Sequence, residues 1–440
     1  MKNFEKLPDN LKPIFRQVYG FAQDHYLKNR TIVTSDIPKI LDGINEVIND
    51  KLLVHKFHSG EDHGTWIVPE KWDIKEAWVK DLNGNLVASY QEHPLFVSPY
   101  SSPVHKQVSI EELKARNLCD PDRPDAFCFN WRYASDASLR LKEWGLSIPS
   151  SRIDALSDEF YEVCIDADIS EGDMLVGEYI IRGSSGDEFI FISNYCHPGQ
   201  VNDSFSGLML FLMVINELRA RQNLRFTYRF LFCQETIGSA IYFASDQKFR
   251  KNVFGAMFSE MVGWGKDWFI KNSRTGDAFV DKVAHNLTFS YPDLSQSEFY
   301  SLIGNDEYIL NSIQVNIPTL SLQKFDFPEY HTSDDNLEPL DANELRRALD
   351  IVLSFVDIME KDRVLKHNVS VPFWMTRYNL YADDERSPQE FTRNLKIVYE
   401  LLDGENSVLD IANNLSVPFD EVNDYLLRLE KEKLIEEVLK

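Results

Sequence analysis

No run of about 18 uncharged apolar residues occurs in this 440-residue chain, so no transmembrane helix is expected. Residues 1–20 mix charges and lack the apolar stretch and small-residue cleavage site of a secretory signal, which predicts a cytoplasmic protein. Cysteine is scarce. Cys119, Cys128, Cys164, Cys196 and Cys233 are odd in number and form no C-x-x-C pair, which argues against a disulfide framework and predicts free thiols. Basic residues are also short: 46 Lys plus Arg stand against 70 Asp plus Glu, a formal net charge of −24. Such a surface repels nucleic-acid phosphates and anionic membranes, so neither is expected as a partner. Internal repeats and low-complexity tracts are missing as well. What is present is apolar material for large cores, 43% hydrophobic and 12% aromatic, in a chain longer than one core usually organises, so two or three domains are expected.

Residues 1–54 carry two helical patterns, at 14–29 and 37–51, the second opened by Thr34-Ser35-Asp36. Between 55 and 155 helical periodicity stops, and short strand-like runs such as Trp66-Ile67-Val68-Pro69 and Ala77-Trp78-Val79-Lys80 alternate with turn signals such as Asp81-Leu82-Asn83-Gly84, which predicts an inserted β-rich domain. From 156 to 385 apolar strands alternate with amphipathic helices, the rhythm of an α/β sheet. Strands are expected at 189–192, 225–233, 255–259 and 319–322, with a helix at 207–221. A Pro- and charge-containing link at 382–388 leads to helical patterns at 390–402, 408–415 and 419–433, read as a winged-helix domain over 386–440. From Ser387 to the end there are 6 Lys plus Arg against 12 Asp plus Glu, the wrong sign for phosphates and a better match to a protein contact.

Chemistry-bearing residues gather where the expected strands end, the place where open α/β sheets bind ligands. His197 follows the first strand in Asn194-Tyr195-Cys196-His197-Pro198-Gly199, and Asp203 opens Asp203-Ser204-Phe205-Ser206-Gly207 at the next helix, where Ser206 and Gly207 would cap the helix and permit close backbone approach. Glu235 follows the second strand in Gln234-Glu235-Thr236-Ile237-Gly238, Glu260 the third in Glu260-Met261-Val262-Gly263, and His331 the fourth in Tyr330-His331-Thr332. Each alone has an ordinary explanation: a loop histidine that bonds locally, or an acid in the first turn of a helix. In this order they supply the imidazoles and carboxylates of a hydrolytic metal site. The remaining histidines, including the group His55, His58 and His63 and the pair His93 and His105, match no finger spacing and are read as structural or surface residues.

Together these motifs resemble those of the co-catalytic zinc exopeptidases, a superfamily that includes bacterial leucyl aminopeptidases and glutaminyl cyclases. Over nearly the whole length the chain resembles the aminopeptidase-like family associated with polysaccharide biosynthesis, in which a β domain is inserted near the N-terminus and a winged helix closes the chain. The resemblance implies a zinc-exopeptidase-like mixed sheet flanked by helices, built from 1–54 and 156–385. It also implies one or two zinc ions, a ligand role for His197, a bridging role for Asp203, a second-metal carboxylate at Glu260 and a second histidine ligand at His331. Gly304-Asn305-Asp306-Glu307 resembles a substrate-side loop, which would make Asp306 and Glu307 substrate contacts. The chain departs from the family at one point: two consecutive glutamates, base and ligand, are reduced to Glu235 alone. A gap-free alignment makes Glu235 the base and puts Thr236 in the ligand position. A short deletion makes Glu235 the ligand and leaves Gln234 where the base should be. Both stay open here.

The function so implied is cleavage of an amide in a small peptide or amino-acylated molecule. Loss of the second glutamate also suits a catalytically impaired binding or regulatory protein on the same scaffold. A homo-oligomer or a protein partner would engage the β insert or the winged helix.

Overall fold

The computed structural model describes residues 1–130, 143–245, 249–301, 304–378, 380 and 388–438, the side chains of 249 and 388–393 excepted. The expected link at 382–387 lies outside the described residues. None of the described helices is long and apolar enough to cross a membrane.

A mixed eight-stranded sheet organises the molecule, in the spatial order Leu53–His58, Asp173–Ile181, Thr227–Cys233, Glu188–Asn194, Val253–Ser259, Thr319–Phe325, Asp267–Lys271, Leu294–Ser297. Its four middle strands, from Thr227–Cys233 to Thr319–Phe325, run parallel, and antiparallel strands adjoin them on both sides. Every residue of Glu188–Asn194 and of Thr227–Cys233 is buried, as expected of strands covered on both faces.

Side-chain alternation assigns the two faces. Phe189, Phe191, Phe230, Phe232, Met257 and Leu320 point into one core, with apolar residues of the helices Lys12–His25, Ile37–Ile48, Gly207–Ala220 and Ala342–Lys361. Their neighbours Ile190, Ile192, Leu231, Ala256 and Phe258 point into a second core shared with the helix Ile237–Ser245 and with Trp72, Val79, Phe96, Val163 and Ile165 of the inserted segment.

The insert contains a four-stranded antiparallel sheet in the order Leu86–Ser89, Lys71–Lys80, Phe160–Ser170, Val104–Ser109. Its limits differ from the expected 55–155. Leu53–His58 belongs to the edge of the large sheet, paired with Asp173–Ile181, and the insert's own sheet continues to Ser170. The reason is non-local: Leu53–His58 finds its partner more than a hundred residues away, beyond the reach of any local pattern.

At the C-terminal end, strands Val364–His367, Asp403–Ser407 and Ile435–Glu437 form a three-stranded sheet beside the helices Pro388–Leu401, Val408–Leu415 and Phe419–Lys431. One of these strands lies before the expected boundary at 386. This unit is fused to the main body: Leu365, Ile411 and Leu426 share the first core, and Asn286 donates to Asn413 and Val417 while accepting from the Phe419 N–H.

The insert also reaches the loop that follows Glu188–Asn194. His93 stacks on Phe127, with centroids 5.6 Å apart, and accepts from the Leu95 N–H. Gly199, at φ 76°, faces that ring so closely that a Cβ would lie 2.4 Å from His93 Cε1. Burial drives the His93 pKa from its ordinary 6.5 down to about 4. The folded state therefore favours neutral His93, and its contribution is complete above pH 6.5 and lost as the pH falls toward 4. Replacing His93 by Gln should remove this part of the acid sensitivity, on the order of 2 kcal/mol, from denaturant-unfolding profiles recorded between pH 7 and 4. Superimposable wild-type and variant profiles would count against it.

Candidate metal centre

Four of the five strand-end motifs lie in the turns that follow the parallel strands, and the fifth at the entry to the helix Gly207–Ala220. His197, Thr236, Met261 and His331 all have positive φ, between 52° and 66°, so the chain turns sharply at or beside His197, Glu235, Glu260 and His331. One donor atom each from His197, Asp203 and His331 lies within 4.8 Å of the other two. Asp203 Oδ2 is 3.1 Å from His331 Nε2 and its Oδ1 is 4.0 Å from His197 Nδ1. Glu235 Oε2 stands 3.2 Å from His197 Nε2.

Glu260 is buried beside them, both its oxygens accepting from Asn305 Nδ2 at 2.9 and 2.8 Å. Its carboxyl is pushed well above the usual carboxylate range, first by burial and then by the charges of Asp203 and Glu235. At Asp203 burial acts in the same direction, but His197 and His331 outweigh it and hold the group ionised. Burial would lower the His197 pKa, yet the charges of Asp203, Cys196 and Glu235 overcome it and raise it.

The residues present fit a divalent cation. Two imidazoles and three carboxylates make a zinc-type donor set. Glu235 Oε2 is buried and has no hydrogen-bond partner among the described residues, a condition that costs free energy unless something else binds it. A cation would offset the crowding of negative charge that raises Glu260.

Gln234 is turned away from this cluster, its Nε2 donating to the Ile32 carbonyl at 2.6 Å, while Glu235 faces His197. Of the two residues, Glu235 is the one that faces the centre. Thr236 sits at the turn with its backbone N–H bonded to Asp306.

Asp306 and Glu307 are placed differently from their expected role as substrate contacts. Both are completely buried. Asp306 accepts from Asn194 at 2.7 Å and from the Thr236 N–H at 3.2 Å, and burial pushes its carboxyl up to about 8. Glu307 pairs with Lys271 and accepts from the Asn305 N–H. They brace the turns that carry Glu235 and Glu260. Ser206 differs as well. Its hydroxyl donates to Asn202 O and accepts from the Val262 N–H, tying the Asp203 loop to the Glu260 loop instead of capping the helix. The close approach expected at Gly207 is present: a Cβ there would lie 1.9 Å from Ser259 O.

Three supports left no mark in the sequence pattern. Arg30 is fully buried, lies 3.6 Å over the Phe205 ring, and donates to the carbonyls of Tyr195, Cys196, His197 and Gln200. Asp335 accepts from the backbone N–H groups of Val201, Asn202 and Asp203. Its place four residues after His331 is the one clue the sequence offered. Phe129 of the insert has its ring 4.9 Å from His197 and 5.1 Å from His331, and its N–H donates to His331 O. Arg30→Met should leave the four carbonyls without their shared donor and destabilise the protein by about 3 kcal/mol or more, measured by chemical denaturation. A loss below about 0.5 kcal/mol, the range of ordinary surface substitutions, would show that the loop keeps its shape unaided.

Residues 19–362 match the family described as a domain of unknown function, DUF4910. A protein of Clostridium acetobutylicum named for polysaccharide biosynthesis and an aminopeptidase-like domain is 29% identical over 446 residues, covering 99% of this chain and 100% of its own. A crystal structure from C. acetobutylicum, provisionally named a peptidase, superposes with a TM-score of 0.85 at 27% identity, over 99% of this chain and 100% of that one. The zinc aminopeptidase BSAP of Bacillus subtilis shares the fold, with a TM-score of 0.56 at 13% identity over 78% of this chain and 94% of its own. The chain shares the aminopeptidase-like fold and belongs to the DUF4910 family.

Proposed function

We propose that this protein is a metal-dependent hydrolase, with zinc as its ion, that cleaves an amide at the amino end of a small peptide or an amino-acylated compound. The observation that carries the proposal is the approach of His197, Asp203 and His331 to within 4.8 Å of one another beside Glu235. His197, Asp203, Glu260 and His331 would hold the metal. A bound divalent ion supplies Lewis acidity toward water and toward a carbonyl. Glu235, whose Oε2 makes no hydrogen bond among the described residues, takes a proton from the attacking water and delivers it to the leaving amine. Asn305 holds the Glu260 carboxylate by both oxygens, and Arg30 and Asp335 keep the His197 and Asp203 loops in place. Phe129, lying against both histidines, excludes water from one side of the centre. A role in polysaccharide biosynthesis is supported by the naming of the C. acetobutylicum relative.

The competing reading, a binding protein on a peptidase scaffold, draws support from the missing second glutamate: Glu235 stands between Gln234, which bonds to Ile32, and Thr236. Elemental analysis separates the two: about one or two zinc ions per chain support the enzyme, and none after gentle purification supports the binding protein. Among amino-acyl arylamides and small peptides, the substrate turned over best provides the assay for Glu235. Glu235→Gln should lower turnover by roughly 10² to 10⁴ with an unchanged circular dichroism spectrum. Full activity in that variant would remove Glu235 from the mechanism.

A further inference from the structure

We propose that Cys196 is a metal ligand, its sulfur joining His197 in the shell of a thiophilic divalent cation such as zinc, with Glu235 left beside the ion as the base. The proposal rests on the metallohydrolase reading and adds to it a sulfur donor that the exopeptidase resemblance does not include.

The argument begins with the backbone. Consecutive residues of an extended chain point to opposite sides, so a strand-end cysteine and the histidine after it should diverge. His197 has a φ of 66°, and this turn brings its ring round to the side of the preceding thiol. Cys196 Sγ lies 3.3 Å from His197 Nδ1. One donor atom each from Cys196, His197 and Glu235 falls within 4.8 Å of the other two, and all three residues are buried. Donors around one tetrahedral zinc are spaced by about 3.3–3.6 Å, given metal–ligand lengths of about 2.0 Å to N or O and 2.3 Å to S. The 3.3 Å between Cys196 Sγ and His197 Nδ1 already matches that spacing.

Glu235 supplies the independent observation. Its residue is 8% exposed, and its Oε2, aimed at His197 from 3.2 Å, has no hydrogen-bond partner among the described residues. The sulfur is meanwhile held as an acceptor: the Glu235 N–H donates to Sγ at 3.3 Å, and Arg30 fixes the Cys196 carbonyl at 2.7 Å. The N–H contact leaves the sulfur beside His197, and a metal that binds there displaces the thiol proton to solvent. With Glu235 alone where the related enzymes have two glutamates, sulfur provides the additional donor.

The test uses the full-length protein loaded with cobalt(II), its content fixed by elemental analysis. The wild type should show a near-ultraviolet thiolate-to-cobalt charge-transfer band that persists in Cys233→Ser and is lost in Cys196→Ser. Zinc affinity should fall more than about tenfold in Cys196→Ser, exceeding the lower bound for loss of a supporting residue. Should the serine variant misfold, X-ray absorption at the zinc edge of the wild type gives the same answer through a sulfur scatterer at about 2.3 Å. Cobalt bound without the band, or zinc without the sulfur, overturns the role of Cys196 and leaves the metallohydrolase reading standing. Failure to bind either metal overturns both.

Discussion

Burying Asp203, Glu235 and Glu260 together is the demand that the rest of this architecture meets. Each carboxylate removed from water loses hydration, and each raises the cost of ionising the next. The protein answers with oriented donors. Asn305 holds Glu260, Asp335 draws three backbone N–H groups into the Asp203 turn, and the guanidinium of Arg30 lies under the loop that leads there. The imidazoles of His197 and His331 then face a concentration of negative potential that suits a divalent ion.

Arg30 and Asp335 act on neighbouring stretches of one loop in complementary ways. Arg30 collects carbonyls, from Tyr195 to Gln200, and Asp335 collects amides, from Val201 to Asp203. The peptide groups of the segment are thus sorted by polarity, oxygens to the cation and hydrogens to the anion. An irregular loop can be buried only when its backbone groups find such partners.

Much of this centre was legible before the fold was known, because its motifs are local: a strand, then a ligand, repeated along a parallel sheet. His197, Asp203, Glu235, Glu260 and His331 fall where that rhythm puts them, and the helix at 207–221 differs by one residue from Gly207–Ala220. What escaped was non-local. Arg30 binds backbone carbonyls, and any side chain can stand above a carbonyl, so no residue pattern announces the contact. Leu53–His58 reads as an insert strand until its pairing with Asp173–Ile181 is seen. Asp306 and Glu307 read as substrate contacts from their loop, yet Asn194, Thr236 and Lys271 converge on them from other strands and turns.

The division of the Glu188–Asn194 strand between two cores ties its sequence phase to the chemistry at its tip. Phenylalanines occupy one side and isoleucines the other, and the His197 loop begins where the strand stops. Gain or loss of a single residue within it would exchange the sides, driving aromatic rings into spaces shaped for branched aliphatics and rotating the loop by half a turn. This seven-residue segment is therefore held to one reading frame by bulk on both flanks and by the site residues at its end.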